Sequence, residues 1–250
     1  MSKFDSFTKT GKYHLNNEID NQDAYSTGSN DRFDVVVLAD GVSRCERGGE
    51  GAEITVETIK KTMLDNGDVI MKADVDDGTN AIMSVLKSAL ESKARANNED
   101  VKEYASTLSA VLIDRKNKNV FSMNLGDSLI FGIKGMDVAI VGKPADSTYG
   151  IPTTVTSCAE TIVDSRKLSS ENALFKYDSF VLCSDGAWRE FFNHSKLRND
   201  VKNMLIKKNY NGLRNFLKER DIQDDCSFVA LDTERENEWD KDPGVDDFER

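Results

Sequence analysis

The sequence predicts a mixed α+β domain, and three observations carry that expectation. Two long stretches, 50–64 and 79–95, place apolar residues at helical spacing. From 107 to 141 the period shortens to that of strands, and the connections are too short for parallel crossovers, so an antiparallel meander is expected. Two apolar runs, 35–39 and 180–183, are bounded by turn residues and read as strands buried on both faces.

A chain of 250 residues is long enough to bury a substantial core as one domain. It is 38% hydrophobic and 31% charged, the balance of a soluble globular protein. The formal net charge of −11 argues against nucleic acid or an anionic membrane as partner. The four cysteines, Cys45, Cys158, Cys183 and Cys226, form no CxxC pair and fit reduced thiols better than a disulfide framework. The N-terminal stretch MSKFDSFTKTGKYH lacks the apolar core of a signal peptide, and no apolar run approaches a membrane span. A cytoplasmic location is expected.

Residues 1–10 allow a short strand or a tail. The stretch 11–28, GKYHLNNEIDNQDAYSTG, is polar and turn-rich, and carries His14, Gln22 and Asp23. After the strand at 35–39, Ala52, Val56, Ile59 and Met63 form a helical stripe that Asp65-Asn66-Gly67 is expected to stop. The second helix carries Ile82, Val85, Leu86, Ala89 and Leu90. Strands follow at 107–114, 120–125, 129–133 and 137–141, with Gly126-Asp127-Ser128 as a tight turn within the meander. The stretch 143–174 is the least periodic and reads as an excursion with short strands. Beyond the strand at 180–183, helices are expected at 188–192, 197–208 and 211–219, then a last strand at 228–231. The domain therefore spans 1–232, and 233–250 is an acidic tail, disordered or loosely docked.

Chemistry is concentrated at strand ends. Asp40-Gly41 closes one apolar run, Ser184-Asp185-Gly186 closes another, and Asp224 precedes the last strand, with Asp127 in a turn. Each alone is an ordinary turn acid. Acids at the ends of separated strands can converge on one edge, where they repel and raise one another's pKa values. A pair of divalent cations about 3.5–4 Å apart removes that repulsion and activates water for attack on phosphorus. Such a site needs no Ser, Cys or His nucleophile.

In order along the chain, NQDAY, LADG, STLSAVLID, NLGDSLIFGI, FVLCSDGAWREF and DDCSFVAL resemble the type-2C family of metal-dependent Ser/Thr protein phosphatases, in its bacterial style. The resemblance covers about 11–231. It implies a four-layer α-β-β-α sandwich, two antiparallel sheets flanked by antiparallel helices. It implies that Asp40 bridges two Mn²⁺ or Mg²⁺ ions, that Gly41 offers a carbonyl, and that Asp185 and Asp224 complete the set. Asp23, with Gln22 before it, matches the acidic pair that orients water, and Asp127 matches the acid that helps hold a third, weaker metal. The excursion at 143–174 would be a flap beside the cleft, and the partner a phosphorylated protein with a cognate Ser/Thr kinase.

Three departures stand out. The family's phosphate-binding Arg near the N-terminus is replaced in its region by His14, leaving Arg44 and Arg47 as candidate phosphate-binding residues. Val42 cannot donate a proton to a leaving group, so His14 or a metal-bound water would have to. Gln22 stands where a carboxylate is common. They leave two alternatives open: a pseudophosphatase that binds phosphoproteins without turnover, and a small-molecule phosphatase.

Overall fold

The computed structural model describes residues 3–143, 155–157, 163–168 and 177–233. Strand β1 (Phe4–Lys9) and helix α1 (Lys12–Asn16) precede β2 (Asp23–Ser29), β3 (Phe33–Asp40), α2 (Gly48–Lys72) and α3 (Val75–Asn97). Next come β4 (Leu108–Asp114), β5 (Asn119–Leu125), β6 (Leu129–Lys134), β7 (Asp137–Gly142), β8 (Asp164–Leu168) and β9 (Ser179–Cys183). Helix α4 (Asp185–Phe191), a small hairpin of β10 (Phe192–Asn193) and β11 (Lys196–Leu197), helices α5 (Asn199–Ile206) and α6 (Tyr210–Lys218), and β12 (Cys226–Asp232) follow.

The strands form two five-stranded antiparallel sheets, ordered β2-β3-β4-β5-β8 and β1-β12-β9-β6-β7. They pack face to face as the middle layers of a four-layer α-β-β-α sandwich. Strand β3 shows why its sequence is apolar without alternation. Val35, Val37 and Ala39 pack with Ala52, Ile59, Met63 and Leu86 of α2 and α3. Val36 and Leu38, on the other face, pack with Phe180, Leu182, Val229 and Leu231 of the second sheet. Both faces of the strand are core, so every position from 33 to 39 is buried. On the far side, Phe191, Val201, Leu205, Leu213 and Leu217 of α4, α5 and α6 cover Val181, Phe228 and Ala230.

Several local expectations change. The first long helix kinks at 65–67 rather than ending there. The helical backbone is interrupted there at Asn66 (φ −119°, ψ 17°), as expected of a break, but a second helical segment continues across the kink to Lys72, and its Ile70 extends the buried stripe. Gly67 is needed because the Phe33 ring lies against it: a Cβ there would be 2.6 Å from a ring carbon. In α3, Met83 is buried and Val85 is exposed, so the stripe is rotated from the expected one. The polar stretch 11–28 holds a helix and a strand, α1 and β2, because backbone pairing with β3 and contacts to 222–225 replace an apolar signal.

The meander is broken at Gly126-Asp127-Ser128. Strands β4 and β5 pair as expected, but β6 crosses to the second sheet beside β9 and β7, and β8 takes the free edge of β5. Gly126 turns with φ +95°, and the Asn124 amide donates to the Ser128 and Lys143 carbonyls at 2.9 and 2.8 Å. Asp127 therefore sits at the seam between sheets. His194 lies in the β10–β11 turn with φ +56°, and α5 begins at Asn199, two residues later than expected. Only Lys143, 155–157 and 163–168 of the excursion at 143–174 are among the described residues, as is Thr233 alone of the tail; the flap and the acidic tail lie otherwise outside them. Among the described residues no helix is long and apolar enough to cross a membrane.

Gly67→Val should lower stability by about 1–3 kcal/mol through overpacking against Phe33. Thermal unfolding measures this, and an unchanged midpoint would show that the kink does not depend on the close contact.

Candidate metal centre

The sheet pairing delivers the acids. Asp40 is the last residue of β3 and Asp23 the first of β2, and the two are directly opposite in the antiparallel register. Asp185 opens α4 just after β9, and Asp224 lies just before β12, the neighbour of β9 in the second sheet. Asp127 comes in on the seam turn. All four reach Asp40 electrostatically: burial first, then the charges of Asp23, Asp185, Asp127 and Asp224, hold its carboxyl well above the usual carboxylate range. Burial also raises Asp23 to about 7, against hydrogen bonds from Ser184 and Ser227 and with the charges of Asp225 and Asp185 adding to it. Asp185 is raised to about 6 by burial and Asp127, with Arg189 pulling the other way.

The end of β3 is pinned from behind. The Asp40 amide donates to Thr107 Oγ1 at 2.9 Å, the Asp40 carbonyl accepts from the Thr107 amide at 2.8 Å, and Thr107 Oγ1 lies 3.0 Å from Ser128 Oγ. Gly41 donates to the Gln22 carbonyl at 3.1 Å, and a Cβ on it would lie 2.5 Å from the carbonyl carbon of Gly48, so the start of α2 closes directly on the loop.

Asp225 ties the N-terminal segment to this edge. It is buried, its Oδ1 accepts the Gly11 amide at 2.8 Å, and its Oδ2 accepts the Gln22 amide at 2.6 Å and faces His14 Nδ1 at 2.7 Å. Both oxygens are occupied. Asp224, half-buried beside it, has Oδ1 on the Asp225 amide at 2.9 Å. Ser184 Oγ donates to Asp23 Oδ2 at 2.7 Å.

Four of the eight buried side-chain polar atoms without a partner among the described residues belong to this neighbourhood: His14 Nε2, Gln22 Oε1, Asp23 Oδ1 and Asp185 Oδ1. Buried polar atoms are ordinarily paired, and these four are grouped beside the converging acids. The acids and the amide present oxygen donors, the set that suits a hard divalent cation. Among the described residues no group of three or more His, Cys, Asp or Glu side chains stands in an arrangement that would hold an ion as placed. The fold brings the donors into one neighbourhood without a finished coordination sphere.

The expected cations are distributed differently. Arg47 is directed to Glu99, with Nη2 at 2.7 Å and Nε at 3.1 Å, and so anchors the start of α2 rather than facing the acids. Arg44 is exposed beside the Cys45 thiol. His14 is not in a loop: it lies in α1, 1% exposed, and as placed offers neither ring nitrogen to solvent. The cation that reaches the acids is Arg189, with Nη1 2.9 Å from Asp185 Oδ2 and Nη2 3.9 Å from Asp127 Oδ2. Its signal in the sequence is the i,i+4 spacing from Asp185, which shows only if the helix starts at Asp185 rather than at Trp188.

A family profile described as protein phosphatase 2C matches residues 10–219. The chain belongs to the protein phosphatase 2C family. Its fold is shared with a bacterial serine phosphatase at 18% identity and a TM-score of 0.70, covering 94% of this chain and 98% of that one. Stp1 from Staphylococcus aureus matches at 18% identity and TM-score 0.68, over 94% of this chain and 96% of that one. RsbX in complex with magnesium matches at 12% identity and TM-score 0.56, over 91% and 92%. No curated protein sequence matches the chain at a significant level.

In this protein phosphatase 2C chain, Asp23 and Asp185 hold their protons more tightly folded than unfolded, where 3.8 is the ordinary value. The stability this contributes is present in acid and is lost as pH rises through about 6 to 7. The metal-free protein should therefore become less stable between pH 4 and 7, and added Mg²⁺ or Mn²⁺ should restore stability at pH 8, by about 2.7 kcal/mol at 100 times the dissociation constant. Thermal melts with chelator and with metal measure this; a metal-free midpoint that rises steadily from pH 5 to 8 would contradict it.

Proposed function

We propose that this chain hydrolyses phosphoserine or phosphothreonine on a protein substrate and depends on two divalent cations, Mn²⁺ or Mg²⁺. What supports this most is the convergence of Asp40, Asp185 and Asp224 from three separated strand ends on one neighbourhood that contains unpartnered buried oxygens. These three residues would hold the ions. Bound divalent cations supply acidification of a water and positive charge for the phosphoryl oxygens.

The side chains of the protein do the rest. Asp23 is fixed through Oδ2 by Ser184 and keeps Oδ1 free to accept a hydrogen bond from a water. Gln22, tied by its amide to Asp225, keeps Oε1 free in the same way. Val42 has no proton to give and the ring of His14 is shielded, so of the expected donors a water at the site would protonate the leaving oxygen. The partner is a phosphorylated protein made by a cognate Ser/Thr kinase, and the compartment is the cytoplasm.

A second reading, a pseudophosphatase that retains phosphoprotein binding, is favoured by two observations that bear on turnover alone: Val42 has no proton to donate, and the ring of His14 is buried against Asp225, so neither serves as a general acid. Turnover of p-nitrophenyl phosphate and of a phosphopeptide, with Mn²⁺ and with chelator, separates the two. Metal-dependent turnover is expected; phosphopeptide binding with no turnover under any metal condition would establish the second reading.

Asp40→Asn should reduce turnover by more than about 100-fold, the upper range for losing an outer partner of a metal ligand. The metal-free variant should be no less stable than wild type, because a repelling charge has been removed. A rate within a few-fold of wild type would exclude Asp40 from the mechanism.

A further inference from the structure

One Lys or Arg among the described residues reaches the five acids, and it divides Asp185 in two. Asp185 Oδ2 takes Arg189 Nη1 at 2.9 Å, while Oδ1 is buried without a partner. The other terminal nitrogen of the same guanidinium lies 3.9 Å from Asp127 Oδ2. A single planar cation thus stands between carboxylates from α4 and from the seam turn. Its fork is suited to such a pair.

Trp188 fixes this arrangement. The Trp188 indole donates from Nε1 to the Asp127 carbonyl at 2.8 Å, which joins α4 to the turn, and its ring centre lies 5.7 Å from Arg189 Cζ. The indole therefore ties the turn that carries Asp127 to the helix that carries Asp185, and lies beside the guanidinium. We infer that Arg189 is a built-in cation at the Asp127–Asp185 edge, and that it keeps an additional divalent ion from binding there. This rests on the metal reading proposed above.

The physical basis is competition for the same oxygens. An ion bridging Asp127 and Asp185 would have to displace the guanidinium from Asp185 Oδ2, or sit against its positive charge. Asp185 Oδ1 is unaffected, so the residue can still serve the main pair of ions while its outer oxygen is neutralised from within the chain. The Arg189 side chain is 58% exposed, and its removal leaves no buried gap.

Mn²⁺ binding to the full chain, followed by equilibrium dialysis with free Mn²⁺ read by electron paramagnetic resonance, tests the inference without relying on activity. Wild type should bind two ions. Arg189→Gln should bind the same two and gain a third, weaker one, which Arg189→Gln/Asp127→Asn should lose again. Arg189→Lys, which keeps the charge, should stay at two. A third ion in wild type, or two ions in Arg189→Gln, would overturn the role of Arg189 while leaving the two-metal reading intact. No Mn²⁺ bound to wild type would overturn both.

Discussion

Asp23 and Asp40 are paired across the β2–β3 ladder, and the rest of the site answers to that juxtaposition. Like charges directly opposite on adjacent strands are unfavourable even on a surface; here burial adds to the repulsion, and Asp127, Asp185 and Asp224 bring more of the same charge. The chain answers it only in part. Ser184 donates to Asp23, Arg189 takes one oxygen of Asp185, and Thr107 and Ser128 hold the strand end without touching the charge of Asp40. What remains is a set of oxygen donors that folding gathers and leaves unmatched.

The other end of the same strands shows that the fold can neutralise a buried acid when no ligand is needed. Asp34, near the start of β3, is buried and meets Lys3 at 2.6 Å, Ser29 at 2.7 Å and Arg115. Asp114, at the adjoining end of β4, is buried and bonded to Arg32 at 2.9 Å and to the side-chain amide of Asn117 at 3.0 Å. Burial pushes the Asp114 carboxyl up, but Arg32 and the Asn117 and Lys116 amides override it and hold the carboxyl below its ordinary value. One sheet therefore carries matched acids at one end and mostly unmatched ones at the other. This contrast, more than the number of acids, sets the proposed site apart from the structural ion pairs.

Much of this was legible in the sequence, for identifiable reasons. Doubly buried strands such as β3 and β9 are written as unbroken apolar runs, and the acids that end them stand out against that background. The polar β2 lacked such a signal, since its pairing is carried by the backbone and one face is only partly covered. The kink at Asn66-Gly67 resembled a helix stop because the sequence does not show the Phe33 ring that the glycine accommodates. The exit of β6 to the second sheet was hidden for a similar reason: a three-residue turn fits a hairpin as well as a crossing, and Asn124, which ties Ser128 to Lys143, looked like an ordinary strand residue. His14, Arg47 and Arg189 show the same limit for side chains. Their partners, Asp225, Glu99 and Asp127, are distant in sequence or on another element, so only the fold decides which cation faces the acids.

The unmatched carboxylates from β3, α4 and the approach to β12 are proposed to form one divalent-cation site. Anomalous scattering from crystals grown with Mn²⁺ tests it most directly. Two neighbouring Mn²⁺ peaks are expected, within reach of Asp40, Asp185 and Asp224, the residues that would hold them. Crystals saturated with Mn²⁺ that show no peak within reach of Asp40 would contradict it.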